Sequence, residues 1–296
     1  YSWTNDNTAI GLAASSGGDV TEIPVFKALN PSKEPITATI TVTPTFTNGS
    51  VSCPGLGKTF TITVNPTPVI SNKAPEPICS GDAFTVNPVN VLGGDIVPSG
   101  TTYTWTVKTV DPAISGATAS NTAGVVSISQ MLTNSTNTVK AVIYLVTPTS
   151  GDDGSCVGDA FEIEVTVNPV AEVVATPDSE VICSEGSTNI QLSTPTSGTQ
   201  AITYSWTAVI TTPSTGGTIS GFSDQSPSSL DKIIQPLTNS GTSPGVVTYT
   251  ITPHIGDCAG RSIDVDVTVN PSGQADSVDD QIVCTGSSTQ LVTFTT

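Results

Sequence analysis

Positive charge is scarce in this chain. Eight Lys and Arg stand against 25 Asp and Glu, a formal net charge of −17. There is no electrostatic footprint for a phosphate backbone, so nucleic acid is not expected as a partner. The same deficit disfavours an anionic membrane surface. One histidine, His254, is present, so no hydrolase triad can recur along the chain. No apolar run approaches the ~18 residues that span a bilayer, and membrane insertion of this segment is not expected. Charged residues make up only 11% and aromatics 5%. What fills the chain is Thr, Ser and Val, with 26 Gly and 22 Pro. That is β-branched strand material punctuated by turn residues. Its apolar residues recur in short regular runs, which separates it from disordered acidic sequence. The chain begins at Tyr1-Ser2-Trp3 with no initiator Met or signal peptide, and is expected to be an internal piece of a longer polypeptide.

Self-similarity organises the rest. Val-Asn-Pro closes a segment at Val64-Asn65-Pro66, Val167-Asn168-Pro169 and Val269-Asn270-Pro271. Tyr-x-Trp occurs at Tyr1/Trp3, Tyr103/Trp105 and Tyr204/Trp206. Leu132-Thr133-Asn134-Ser135 recurs at Leu237-Thr238-Asn239-Ser240, and Thr-Pro at Thr43-Pro44, Thr147-Pro148 and Thr252-Pro253. These markers share one period of about a hundred residues. They divide the chain into a partial repeat 1–66, complete repeats 67–169 and 170–271, and a partial repeat 272–296. If structural units run across the Val-Asn-Pro junctions, the division is instead 1–94, 95–198 and 199–296.

Each repeat reads as strands. Before Val-Asn-Pro the apolar residues alternate: Phe60, Ile62 and Val64; Phe161, Ile163 and Val165; Ile263, Val265 and Val267. Period-two alternation assigns these to a core and their neighbours to water. The carboxylate pairs Glu162/Glu164 and Asp264/Asp266 are thereby expected on a solvated face, not in acid–base work. Further strands are expected at Tyr103–Val110, Gly124–Leu132 and Thr138–Val146, with the Trp on a central strand and in the core. The expected fold is all-β: tandem immunoglobulin-like sandwiches. Proline after Val-Asn cannot donate to a sheet ladder, so it ends the strand and stiffens the exit. An elongated rod is expected.

The six cysteines keep the period. Cys53, Cys156 and Cys258 precede the last strand of a repeat; Cys79, Cys183 and Cys284 follow a junction. Two per repeat, away from any His cluster, suggest disulfides and an oxidising location. Pairing within a repeat gives Cys79–Cys156 and Cys183–Cys258. Pairing across the junction gives Cys53–Cys79, Cys156–Cys183 and Cys258–Cys284. Both remain open at this point, with a slight preference for the first. Zinc is not expected, because Cys-x-x-Cys spacing is absent.

Searching for chemistry yields little. His254 reads as a loop residue at a strand end. Gly93-Gly94 and Gly216-Gly217 lack a phosphate-loop lysine and read as turns. The one ligand worth carrying forward is calcium, for which Asp152, Asp153 and Asp159, with Asp257 in the related loop, are the candidate ligands. No other cofactor and no catalytic residue is expected, and the chain is read as not an enzyme.

In fixed order the motifs are Cys79-Ser80-Gly81, Tyr103-Thr104-Trp105, Tyr144 to Thr147-Pro148, Cys156 and Val167-Asn168-Pro169. This order resembles the PKD-like repeats of large Bacteroidetes surface adhesins, including those similar to flavobacterial gliding-motility adhesins. The acidic Asp-Gly signature of other PKD domains is absent after Trp105. The resemblance implies type IX export and display on the cell surface, attached at the outer membrane. It implies partners such as surface polysaccharide, a host or substratum, or other adhesin chains. Asp276-Ser277-Val278 matches the pattern at which such organisms O-glycosylate, making Ser277 a candidate. The function expected is a structural and adhesive stalk or filament. The alternative is a carbohydrate-binding or spacer module of a secreted multidomain protein.

Overall fold

Strand material without helix formers folds as the composition dictates. Among the described residues the regular elements are strands, apart from one short 3-10 turn at Thr8–Ile10. The computed structural model describes residues 1–120, 122, 124–151 and 155–294. By internal contacts the chain divides into two units, Tyr1–Asn134 with Lys140–Val167, and Ser135–Val139 with Asn168–Thr296.

The first repeat contributes β1 (Ser2–Asn5), β2 (Ile36–Thr43), a hairpin of β3 (Thr45–Asn48) and β4 (Val51–Pro54), and β5 (Lys58–Val64). Its sheet has the antiparallel order β1-β2-β5, with Trp3 opposite Val42 and Ile36 opposite Val64. A small core of Trp3, Ile10, Leu12, Ala38 and Ile40 lies beneath it.

The second repeat builds a sandwich. Its strands are β6 (Ile78–Cys79), β7 (Ala83–Val86), β8 (Thr102–Val110), β9 (Ile114–Ser115), β10 (Ile128–Met131), β11 (Thr133–Asn134), β12 (Lys140–Thr149) and β13 (Phe161–Asn168). One sheet runs β6-β13-β12-β8, and the pairs β7-β10 and β9-β11 complete the fold. Between them lie Phe84, Tyr103, Trp105, Ile128, Leu132, Tyr144, Phe161 and Ile163, all nearly or fully buried. Phe84 packs on Tyr144 with ring centroids 5.4 Å apart.

The third repeat repeats this plan. Its strands are β14 (Val174–Thr176), β15 (Ser179–Cys183), β16 (Ile190–Ser193), β17 (Ile202–Thr212), β18 (Ile219–Ser220), β19 (Gln225–Ser228), β20 (Lys232–Ile233), β21 (Thr238–Asn239), β22 (Gly245–Ile255), β23 (Cys258–Ala259) and β24 (Ile263–Asn270). The large sheet runs β15-β24-β22-β17-β19, opposed by β14-β16-β20. β15 lies parallel to β24, with Cys183 level with Asn270. This parallel register decides where the cysteines of the repeat sit.

The tryptophans are core, at 4%, 6% and 4% exposure for Trp3, Trp105 and Trp206. The Tyr-x-Trp strand β8 closes one edge of its sheet, whereas β17 is flanked by β19. The expected strand Gly124–Leu132 shortens to Ile128–Met131. His254 is not in a loop: it stands within β22 opposite Thr203. The expected alternation holds in the complete repeats but fails in the first. At the position equivalent by Val-Asn-Pro, Ile163 and Val265 are 0% and 1% exposed while Phe60 is 45% exposed. A sheet buries its apolar face only where something covers it, and among the described residues no strand covers β5.

Candidate functional site

The strongest sequence markers are spent on closing the sandwich. In the second repeat the Trp105 indole N–H donates to Thr118 O at 3.0 Å. The Gln130 amide grips the same residue, accepting from Thr118 N–H at 3.0 Å and donating to Thr118 O at 2.8 Å. Tyr144 O–H then donates to Gln130 Oε1 at 2.8 Å. The third repeat duplicates every link, with Trp206, Ser223, Gln235 and Tyr249 in the four places. Each buried polar group finds a partner, as burial requires. Burial pushes the Tyr144 phenol up to about 12; burial and the Asp95 charge do the same for Tyr103. Burial, aided by the Glu180 charge, raises Tyr249 as well.

A second repeated device is an asparagine behind the Leu-Thr-Asn motif. Asn134 Nδ2 donates to Val167 O at 3.0 Å and Asn239 Nδ2 to Val269 O at 2.8 Å. Asn30 does the same to Val64 O at 2.8 Å. A third device is a left-handed glycine at Gly11, Gly116 and Gly221, where a Cβ would collide with the carbonyl oxygens of Lys27, Met131 and Pro236. These two anchors align the first repeat with the others and place Phe26 where Gln130 and Gln235 stand. The strand register places Ile40, next to the Trp3 partner Val42, where Tyr144 stands beside Val146.

The first repeat is accordingly open. Its network is replaced by apolar residues, and the Trp3 indole N–H is buried without a partner among the described residues. The carbonyl of Ala13, the equivalent of Thr118, accepts from Asn5 Nδ2 instead. A cleft of about 790 Å³ lies here, lined by Tyr1, Trp3, Leu12, Val20, Pro24 and Phe26 among others. A smaller hollow is lined by Ala28, Asn30, Ile62, Val64, Asn65 and Cys156. Sequence reasoning missed both, because they follow from what the first repeat does not cover.

The cysteines overturn both pairing schemes. Cys79 and Cys258 are each disulfide-bonded, while Cys53, Cys156, Cys183 and Cys284 carry free thiols. For the pairing within a repeat, register supplies the reason. Cys183 is level with Asn270, the last residue of β24, whereas Cys258 pairs with Ile255 ahead of the first residue of β24, Ile263. An eight-residue strand spans ~25 Å, far beyond the ~7 Å limit between bridged Cα atoms. The two cysteines of a repeat therefore sit at opposite ends of the sandwich.

The remaining candidates are dispersed. Glu162 pairs with Lys108. Asp266 and Asp264 accept from the Thr248 and Thr250 hydroxyls at 2.6 and 2.7 Å, a solvated face as expected. His254 Nε2 and Ser205 Oγ are 2.8 Å apart on neighbouring strands. Of the calcium candidates, Asp152 and Asp153 lie outside the described residues, and Asp159 and Asp257 are exposed. Among the described residues no cluster of three or more His, Cys, Asp or Glu could hold a metal. Ser277 is exposed in the extended segment after β24. No helix among the described residues is long and apolar enough to cross a membrane, which says nothing of β-barrels.

Among curated protein sequences none matches the chain. The chain is similar to the chicken CNTN1 FN1-FN3 domains, at 11% identity over 84% of this chain and 79% of that one, with a TM-score of 0.30. It is similar to the fibronectin(III)-like modules of Clostridium thermocellum CbhA, at 10% identity over 68% and 91%, TM-score 0.29. Drosophila N-cadherin EC1-4 matches at 10% identity over 92% and 67%, TM-score 0.23. The model of the PKD-like domain matches twice, at residues 76–171 and 180–273. These matches cover more than half of the chain, and it belongs to the PKD-like domain family.

Proposed function

We propose that this chain is part of the structural and adhesive repeat region of a large secreted bacterial surface protein, serving as a stalk or filament segment. PKD-like modules in tandem are typical of extracellular structural or adhesive proteins. The observation that carries the reading is the duplicated Trp-Gln-Tyr closure: the polar side chains common to both complete repeats are consumed in holding the sandwich. With the shared buried network committed to closing the sandwich, the modules are read as non-catalytic. Surface polysaccharide, a substratum or other adhesin chains are the proposed partners, and gliding motility and type IX export the proposed context.

Antibody against the chain should label intact source cells, and surface protease should remove the label. Beads coated with the chain should attach to a polysaccharide-coated substratum more than beads coated with albumin. Labelling only after cell lysis would overturn the reading. Strong binding of one defined glycan by the chain on an array would replace the stalk with a carbohydrate-recognition module.

Two finer proposals accompany it. Calcium bound by the loop carrying Asp152, Asp153 and Asp159 would raise the melting temperature relative to chelator; an unchanged temperature removes it. A hexose-bearing mass on the peptide containing Ser277 would establish glycosylation there.

A further inference from the structure

The turn after β8 brings a peptide bond, a carboxylate and an amine together. Asp111-Pro112-Ala113-Ile114 is a tight turn, in which Ile114 N–H donates to Asp111 O at 2.9 Å. Aspartate and proline at the first two positions are what such a turn favours. The aspartate side chain is bound back as well: Ala113 N–H donates to Asp111 Oδ1 at 2.9 Å. That contact folds the carboxylate over the Asp111–Pro112 peptide bond. Its other oxygen, Oδ2, lies 3.0 Å from Nζ of Lys140, the first residue of β12.

The turn alone does not call for the acid and the amine. In the third repeat β17 ends at Thr212 and Pro213 follows, so the proline is kept without a carboxylate before it. Lys140 stands opposite Val167, and the residue opposite the equivalent Val269 is Gly245. Both groups are present in one complete repeat and both are missing from the other. An ion pair with side chains 30% and 27% exposed adds little to stability.

We propose that the second repeat rearranges its own backbone, exchanging the Asp111–Pro112 peptide bond, once per chain, for an amide between the Asp111 side chain and Lys140. In the first step an Asp111 carboxylate oxygen attacks the residue's own main-chain carbonyl carbon and closes a cyclic anhydride. The bond from that carbon to Pro112 N breaks, and the nitrogen takes a proton from the Lys140 ammonium. Pro112 N is a tertiary amide nitrogen with no N–H, and it leaves as a basic secondary amine. Ile114 N–H already sits on the carbonyl oxygen where negative charge develops.

In the second step the neutral Lys140 Nζ attacks the anhydride at Cγ. An amide forms there, the main-chain carboxylate of Asp111 is released, and a second proton passes from Nζ to Pro112 N. One ammonium and one carboxylate are present before and after, and no water, metal or oxidant enters. The amine prevails over water because well-oriented tethered groups reach effective concentrations of about 10⁵–10⁸ M. The new amino terminus stays held, since Ile114 is 7% exposed and β9 pairs with β11. Tension on the chain then passes from Asp111 straight into β12 and bypasses residues 112–139. The exchange itself stands independently of the stalk reading.

The test uses the whole folded chain at neutral pH with protease inhibitors. After prolonged incubation, N-terminal sequencing should find Pro112 beside Tyr1. Under reducing and denaturing conditions the intact mass should be unchanged, and peptide mapping should join residues 111 and 140 in one branched peptide. Asp111→Thr, which borrows the residue of the third repeat, should abolish both signals. Lys140→Arg keeps the charge but presents no neutral amine, so the branched peptide should be lost. Chain held unfolded in urea should lose it too, while native tryptophan emission shows that each variant is folded. Tyr1 as the sole amino terminus of the folded parent overturns the proposal. So does a mass lower by one water, which marks direct condensation, or two separate fragments heavier in sum by one water, which mark hydrolysis alone. A Pro112 terminus that persists undiminished in Asp111→Thr assigns the scission to a protease and overturns it as well.

Discussion

Asn134 donates its side-chain amide to the backbone carbonyl of Val167 at 3.0 Å, from a position only 3% exposed. Asn239 holds Val269 in the same way from a position 4% exposed. The bond ties the strand that closes one face to the last strand of the opposite sheet, just before the junction proline. Without it a buried carbonyl is left unsatisfied, at a cost of about 1–3 kcal/mol. Asn239→Ala should therefore lower the melting temperature of its module by several degrees. Hydrogen exchange should show faster opening of Gly245–Ile255 and Ile263–Asn270, and unchanged protection there would contradict the role.

Gly116 and Gly221 carry φ of 92° and 98° and sit against a carbonyl oxygen that leaves no room for a side chain. Alanine at either position meets both the left-handed penalty of ~1–2 kcal/mol and a backbone collision. Gly116→Ala and Gly221→Ala should each destabilise by roughly 2–4 kcal/mol. Gly273, with open space around it, is the control: Gly273→Ala should change denaturation midpoints within ~0.5 kcal/mol.

Much of this fold was legible in the sequence, and the exceptions have a common physical origin. Tyr103, Trp105 and the Val-Asn-Pro junction are local patterns, so they announce strands and period directly. The Leu132-Asn134 motif was visible as a marker, but its job requires knowing that Val167 lies across the sandwich. Phe60 obeys the alternation of a buried strand and is nonetheless 45% exposed, because burial belongs to the covering strand and not to the pattern. The cysteines failed for a topological reason. Two cysteines some 75 residues apart in one repeat suggest a loop closed by a disulfide, and only the parallel register of β15 on β24 shows that they occupy opposite ends.

The sandwich should open in alkali. Burial holds Tyr144 at about 12, and burial with the Asp95 charge holds Tyr103 at about 12; an unfolded tyrosine titrates near 10. With the folded value raised, the folded state keeps protons that the unfolded state releases. The stability they contribute is complete below pH ~10 and is lost as pH rises toward 12. Chemical denaturation midpoints should fall through that window. Tyr144→Phe should flatten the fall while costing about 1 kcal/mol at neutral pH for the lost bond to Gln130. A fall of the same steepness in the variant would show that this tyrosine is not the group responsible.

Asp95 sets the corresponding acid limit. Burial works to raise its carboxyl, but hydrogen bonds from Lys73 and Ser71 with the Lys73 charge outweigh it and leave it below the ordinary value. The pair ties the strand entering the second repeat: Ser71 N–H donates to Asp95 Oδ1 at 2.9 Å, and Lys73 makes the ion pair. A depressed folded value means that the contribution is present above the unfolded value, near 4, and disappears as pH falls below it. Asp95→Asn should remove that acid dependence, seen as parallel melting curves at pH 6 and pH 3.5 for the 69–96 region by hydrogen exchange.

Opposite-end placement makes a prediction about chemistry that sequence spacing alone would reverse. Oxidation of the chain, however prolonged, should produce no Cys79–Cys156 or Cys183–Cys258 peptide, because forming either would require ~25 Å of strand to unravel. The exposed free thiol of Cys183 then contributes nothing to its own module, and Cys183→Ser should leave the denaturation midpoint of that module within ~0.5 kcal/mol of the parent. Non-reducing peptide mapping after denaturation and refolding is the sharper measurement. If either intramodule cross-link forms in the refolded chain with native tryptophan emission restored, then β15 does not lie parallel to β24 in solution. The rest of the end-to-end cysteine arrangement would fall with it.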